Sequence, residues 1–355
     1  LANQLEKREI VFRKNNGRAD LLGKISTVFM GSDAIALPML QDLFTHFKDR
    51  VQLKGVITQP DRHSGRGMKL HANPIKSWAI ENNIAVQQPV KLGSEICDWL
   101  DEQDCDLIII MAYGRILRDK LLKIPELGVI NLHASLLPAY RGASPIPAAI
   151  ASGDRFTGVT IMRVVPELDA GPILDYEKVG IDLKDDSQSL GKKIGKAAAI
   201  VTQRNLLAII EGKSKFVPQN NEEASFTRLL NKEDGVLDFQ VSANDLVNRV
   251  RALKSWPGCF FYFDKQRIKI GEVEADNKSS SIEPGVILGE ERGALCVSTG
   301  AGILRILELQ RPGGRMLPAK DFLRGLKMEC GTALPEKRMF PLVSSQPFLR
   351  GKGNS

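Results

Sequence analysis

Hydrophobic and polar residues change period several times along this chain, and each change predicts an element. Thr27-Val28-Phe29-Met30 reads as a buried strand, Gly31-Ser32-Asp33 as a turn and Ala34 to Phe47 as a helix, with Val51 to Ile57 as the next strand. A polar, glycine-containing stretch from Gln59 to Ala72 precedes a predicted helix from Pro74 to Glu81. Leu107 to Met111 is uniformly apolar, as a strand covered on both faces should be. Strands around Val129 to Leu132 and Gly158 to Val164 come next. From Ser187 to Glu211 a helical period places Leu190, Ile194, Ala198, Val201, Leu206 and Ile210 on one side.

After Gly212 the chain turns polar through Asn220, Asn221, Glu222 and Glu223, which reads as a linker. Beyond residue 230 the texture is one helix near Asn244 to Leu253 and short strand-like runs. These are Cys259 to Phe263, Arg267 to Ile270, Gly285 to Leu288, Ala294 to Ser298 and Ile303 to Leu309. The expected fold is therefore α/β: an open, mainly parallel Rossmann-like sheet with helices on both faces, followed by a small OB-like β-barrel. The boundaries are a disordered N-terminal extension (1–24), a catalytic domain (25–212), a linker (213–230), the barrel (231–332) and a disordered tail (333–355).

Charge changes this picture less than its total suggests. The net charge is +7, but residues 1–24 and 331–355 contribute +3 each, and the segments between are nearly balanced. Bulk charge is thus a poor pointer to nucleic acid, and only local clustering can carry one. Five cysteines, Cys97, Cys105, Cys259, Cys296 and Cys330, are odd in number and widely spaced, which suggests neither a disulfide framework nor a zinc site. The first 24 residues lack the pattern of a signal peptide, and the longest apolar run, Leu107 to Ala112, is far short of the roughly 20 residues that span a bilayer. A monomer in the reducing cytoplasm, with no metal and no membrane partner, is expected. Gly31 opens the first turn without a GxGxxG pattern, so a dinucleotide site has no support.

The chemistry gathers after the fourth predicted strand. In Val129-Ile130-Asn131-Leu132-His133-Ala134-Ser135, alternation puts Asn131, His133 and Ser135 on one face. Ligands of open α/β sheets bind beyond the carboxyl ends of strands, where this strand would deliver an amide, an imidazole and a hydroxyl. An isolated Asn-x-His more often merely satisfies a buried turn. Three more motifs narrow the choice: Ser135-Leu136-Leu137-Pro138, Arg141-Gly142, and Leu168-Asp169-Ala170-Gly171, the aspartate 36 residues after the histidine.

Taken together these motifs resemble the folate-dependent formyltransferase family, over about residues 25 to 330. The resemblance implies a catalytic trio of Asn131, His133 and Asp169, and 10-formyltetrahydrofolate as formyl donor. It also implies a folate pocket drawing on Met111, Ala112, Tyr113 and Gly114 and on Ser135, Leu136, Leu137 and Pro138, with a cis Leu137-Pro138 bond. The chemistry suits these residue types. An amine attacking a formyl carbon creates an oxyanion that needs fixed donors, and a proton must pass between two nitrogens near neutral pH. A carboxylate beside His133 would favour its charged form.

The family's members share this trio while differing in acceptor. Thr58 to Leu70, with Arg62, the glycine-flanked Arg66 and Lys69, looks like the insertion by which one branch holds the acceptor end of methionyl initiator tRNA. Ser255-Trp256-Pro257-Gly258 and the barrel-like strands resemble that branch's RNA-contacting domain. There Lys254, Lys265, Arg267, Lys269, Arg311 and Arg315 could line one face, although the near-neutral segment also allows ordinary ion pairing. His63 stands where relatives often have proline. The alternative is a formyltransferase acting on a sugar nucleotide or other small amine.

Overall fold

The uniformly apolar runs do become central strands. In the computed structural model, which describes residues 23–64, 69–278 and 281–348, seven strands form one sheet. Their order is Ile173–Gly180, Phe156–Arg163, Val129–His133, Leu107–Ile110, Ile25–Met30, Val51–Ile57 and Val86–Gln87. The last five in that order are parallel, and the first two run antiparallel to their neighbours. Side chains alternate between two cores. Val28, Met30, Ile108 and Ile110 meet the helix Ser94–Glu102, while Phe29, Leu107 and Ile109 join the helices Leu37–His46 and Ser187–Ile210 on the other face. Helices on both faces are thus confirmed.

Several elements of this domain lie outside the sequence reading, among them the helices Ser94–Glu102 and Pro145–Ala151 and the edge strand Ile173–Gly180. The helix read from Ala34 begins as a 3-10 turn at Ala34–Ala36 capped by Asp33, and becomes α-helical at Leu37–His46.

Beyond Gly235 two four-stranded antiparallel sheets share the larger core. One is Phe260–Phe263, Gln266–Ile270, Glu308–Gln310 and Leu317–Pro318; the other is Val273–Asp276, Ile303–Ile306, Ala294–Ser298 and Ile287–Glu291. The apolar run 303–309 is split between them at Leu307, whose N–H bonds Glu272 O, so one chain segment turns the corner from sheet to sheet. Of the cysteines, Cys97, Cys105, Cys259 and Cys296 are buried free thiols, and burial pushes Cys105 and Cys259 up to about 12. No helix among the described residues is long and apolar enough to cross a membrane.

Two expectations about connecting segments need correction. The stretch 213–230 does not run free between domains. Val217 exchanges backbone hydrogen bonds with Ile173, and Phe226–Thr227 pairs in parallel with Arg141–Gly142. The tail is ordered through residue 348: Val343–Ser344 adds an antiparallel strand to Phe226–Thr227, Leu342 is buried, and Arg249 donates to Phe340 O. Buried backbone must find partners, and these segments supply them to one another. The extension 1–22 lies outside the described residues.

Candidate active site

The strand Val129–His133 ends at the carboxyl edge of the sheet, with Leu107–Ile110 on one side and Phe156–Arg163 on the other. Asn131 is half-buried between buried Ile130 and Leu132. His133 is 6% exposed, and its Nε2 lies 2.9 Å from Tyr140 O. A carbonyl oxygen only accepts, so Nε2 carries a proton and donates it. That leaves Nδ1 for proton exchange, and it faces Asp169 Oδ2 at 3.7 Å. The gap is too long for a direct hydrogen bond, yet it sets a carboxylate opposite the free ring nitrogen.

Both partners of His133 are held in unusual backbone conformations. Tyr140 and Asp169 have positive φ values, 60° and 48°, which side chains adopt only when their surroundings enforce it. Tyr140 N–H donates to Ser225 Oγ at 2.8 Å and its hydroxyl to Asp154 Oδ2 at 2.6 Å. Burial, with that bond to Asp154, pushes the phenol up to about 12, so it stays protonated and a donor. Asp169 Oδ2 accepts the Gly142 N–H at 2.8 Å. Gly171 then lets the turn close: a Cβ there would stand 1.8 Å from Arg163 O.

The Leu137-Pro138 bond is cis, as the family resemblance implied. Thr160, opposite His133 on the next strand, pins this segment by donating to Ser135 O at 2.7 Å and accepting from Leu137 N–H at 3.1 Å. Ser135 departs from expectation. Its hydroxyl donates to Ala139 O at 2.6 Å and closes the turn, so it does not converge with Asn131 and His133. The strand ends at His133, and alternation no longer applies two residues on.

The loop Met111 to Gly114 leaves the adjacent strand at the same edge. Met111 and Tyr113 are buried, so they can offer main chain only, whereas Ala112 and Gly114 are exposed. Leu136 and Pro138 are half-buried and Leu137 is 9% exposed.

The formyl transferase family matches residues 28–206, and the formyl transferase C-terminal domain matches 229–327. A methionyl-tRNA formyltransferase from Caldanaerobacter subterraneus subsp. tengcongensis is 38% identical over 309 residues, covering 86% of this chain and 99% of that protein. The chain belongs to the methionyl-tRNA formyltransferase family. A relative of the same name from Clostridioides difficile is 36% identical over 308 residues, again 86% and 99%. Membership makes the chain a formyl-transferring enzyme. Among solved structures, the sugar 3-N-formyltransferase WlaRD, crystallised with dTDP and 5-N-formyl-THF, matches with a TM-score of 0.59 and 20% identity over 80% of this chain and 98% of its own. HypX from Aquifex aeolicus in complex with tetrahydrofolic acid gives 0.58 and 17% over 89% and 51%. These two show the fold alone.

In this member of the methionyl-tRNA formyltransferase family, the basic insertion is the arm of a hairpin. Arg62–Ser64 pairs antiparallel with Lys69–His71, and Arg66, with residues 65–68, lies outside the described residues. The hairpin base is tied to the site. The exposed Arg62 donates to Gln59, whose Nε2 donates to Tyr113 O at 2.6 Å and whose N–H donates to Ser32 Oγ at 3.0 Å.

The C-terminal cations divide by environment. Lys254 pairs with Glu272 at 2.5 Å. Arg267 lies 3.4 Å over the Phe260 ring and 3.9 Å from Glu233, so protein groups already hold it. Lys269 and Lys265 are exposed, the latter in a two-residue turn with Asp264, both at positive φ. Arg311 lies 5.4 Å over Phe322, and Arg315 is exposed.

Two residues at the site are not singled out by the sequence. Thr160 could have been found from alternation along its strand. Gln219 sits in a polar stretch with no period, yet its amide bridges Arg141 and the Asp169 turn.

Proposed function

We propose that the chain transfers the formyl group of 10-formyltetrahydrofolate to the amino group of methionine carried by initiator tRNA. The observation that carries the chemistry is the pair His133 Nδ1 and Asp169 Oδ2, 3.7 Å apart, at the end of the strand that presents Asn131. In this reading the amine attacks the formyl carbon. The Asn131 amide and the His133 Nδ1–H stabilise the oxyanion of the tetrahedral intermediate. As the carbon–nitrogen bond to folate breaks, the amine gives up a proton and the folate nitrogen gains one, with His133 or water as carrier. Asp169 sets its negative charge opposite Nδ1, and Tyr140 O fixes the ring by holding Nε2. The folate donor would lie against Ala112, Gly114 and the Leu136 to Pro138 segment, at the edge shared by two strands.

The acceptor rests on the relatives named methionyl-tRNA formyltransferase, matched over nearly their whole length, and on the Arg62 to His71 hairpin anchored beside the site. A sugar nucleotide or other small amine as acceptor has only a fold likeness in its favour. The reading carries with it a monomer working in the cytoplasm. Formylation of methionine-charged initiator tRNA, assayed beside charged elongator tRNA and free methionine, tests it. Transfer confined to the initiator is expected, and equal transfer to free amines would overturn it.

A further inference from the structure

The oxygen and nitrogen of the Gln219 side chain are both fully engaged. Oε1 accepts from Arg141 Nε at 3.0 Å and Nη2 at 2.7 Å, and Nε2 donates to Asp169 O at 2.9 Å and Gly171 O at 2.7 Å. Arginine only donates and carbonyls only accept, so the amide has one possible orientation. Arg141 is 4% exposed and stands between the two residues that hold the catalytic pair. Tyr140 before it supplies the carbonyl for His133 Nε2, and Gly142 after it supplies the N–H for Asp169 Oδ2. Segment 225–227 fixes the same stretch from outside. Arg141 N–H donates to Ser225 O at 2.8 Å, and a Cβ at Gly142 would stand 2.2 Å from Thr227 O.

We propose that Gln219 is a positioning residue for the formyl transfer: by bridging buried Arg141 to the turn that carries Asp169, it sets the separation of Asp169 from His133. The inference rests on the catalytic reading given above. Asp169 has the guanidinium of Arg141 and the imidazole of His133 within its influence. Gln219 covers Nε and Nη2 of Arg141 with a neutral oxygen, alongside Asn221 Oδ1 on Nη2 at 2.8 Å, which leaves the carboxylate to the histidine. Without it a desolvated guanidinium competes for Asp169, because a buried donor that loses its acceptor takes the nearest anion. His133 is also faced by the Tyr140 carbonyl at Nε2 and by uncharged Thr160 across the sheet, and the nearby Asp154 is occupied by the Tyr140 hydroxyl.

Two variants separate the halves of the bridge. Gln219→Leu removes both, whereas Gln219→Glu keeps an acceptor for Arg141 and sets a carboxylate against two carbonyls. For the full chain the measurements are kcat and KM for both substrates, the melting temperature, and the ring NMR signals of His133. The chain has four histidines, and comparison with His133→Gln assigns the signal. Both variants should lower kcat by roughly 10-fold to 100-fold, as misplacement of a catalytic group does, with each KM within about threefold. The His133 ring signals should shift from the parent's in both, since Asp169 no longer stands at its set distance from Nδ1. Parent-like kcat and ring signals in both variants overturn the proposal, as does a fall in melting temperature with those two unchanged. Should Gln219→Leu not fold, Gln219→Glu, in which Arg141 stays paired, decides alone. A parent that formylates no charged tRNA would sink the functional reading while the His133 ring signals still judged the bridge.

Discussion

At His133 the two ring nitrogens have separate tasks, and the Asn-x-His spacing displays only one of them. The sequence places Asn131 and His133 on a face and supplies Asp169 through the family pattern. It cannot show that Nε2 is committed to Tyr140 O, because that partner lies in a turn seven residues on. Substituting Asn131 by Ala should leave the melting temperature nearly unchanged, since the residue is half-buried, while transfer falls by about 100-fold to 1000-fold. Near-normal turnover would remove Asn131 from the mechanism. Replacing Asp169 by Asn keeps the shape and removes the charge. Nδ1 of His133 then faces a neutral amide, and kcat should fall by roughly 10-fold to 100-fold; parent-like turnover would remove the carboxylate from the mechanism. Arg66 is tested by transfer rates: Arg66→Ala should lose on the order of 10-fold to 100-fold on initiator tRNA, more than Arg66→Lys or Lys69→Ala. Equal behaviour of all three variants would reduce the hairpin to a charged surface.

Strands buried on both faces are legible because burial leaves no polar alternation to interpret, as in Leu107–Ile110. The edge strand Ile173–Gly180 is hidden for the opposite reason: Asp175, Glu177 and Lys178 occupy it, with Arg204 pairing the two acids from the helix Ser187–Ile210. Helix Pro145–Ala151 opens with two prolines, which sequence alone reads as a loop. Pairing of Val343–Ser344 with Phe226–Thr227 is beyond reach, since two-residue strands far apart in sequence carry no period. The tail is nonetheless packed, and Leu342→Ala should cost about 2 to 3 kcal/mol in urea unfolding. A loss below about 0.5 kcal/mol, the range of an ordinary surface substitution, would show it is not.

The start of helix Ser187–Ile210 carries a pH response of its own. Burial raises the Asp185 carboxyl, but bonds from Lys193, Ser189 and the Asp182 N–H outweigh it and hold the group below its ordinary 3.8. A carboxylate depressed in the folded state stabilises fully above its unfolded pKa and loses that contribution as the pH falls through the folded value. Asp185→Asn should therefore reduce stability near neutrality and flatten the decline below about pH 4, read from denaturation midpoints across pH. Parallel acid limbs in both proteins would exclude the role.

Across the whole molecule, the domain boundary expected at residue 212 divides the chain in the wrong place for the site. Gln219, Ser225 and the strand Phe226–Thr227 belong structurally to the catalytic unit, and the last described residues return to it from the far domain. The domains also meet directly. Ser187 Oγ donates to Ala252 O, Arg251 donates to the carbonyls of Asp182 and Asp185, and helix Pro145–Ala151 packs on Ala243–Leu253. The C-terminal domain thus sits in the polypeptide as a long excursion whose two ends are clasped by one small sheet. Such a clasp makes the peptide bond between the domains dispensable once folding is complete. A protease site engineered at the exposed Leu229 would leave one piece with the catalytic strands and another with the tail strand. The severed halves should elute as a single species and keep transferring formyl, behaving as a split enzyme that has never come apart.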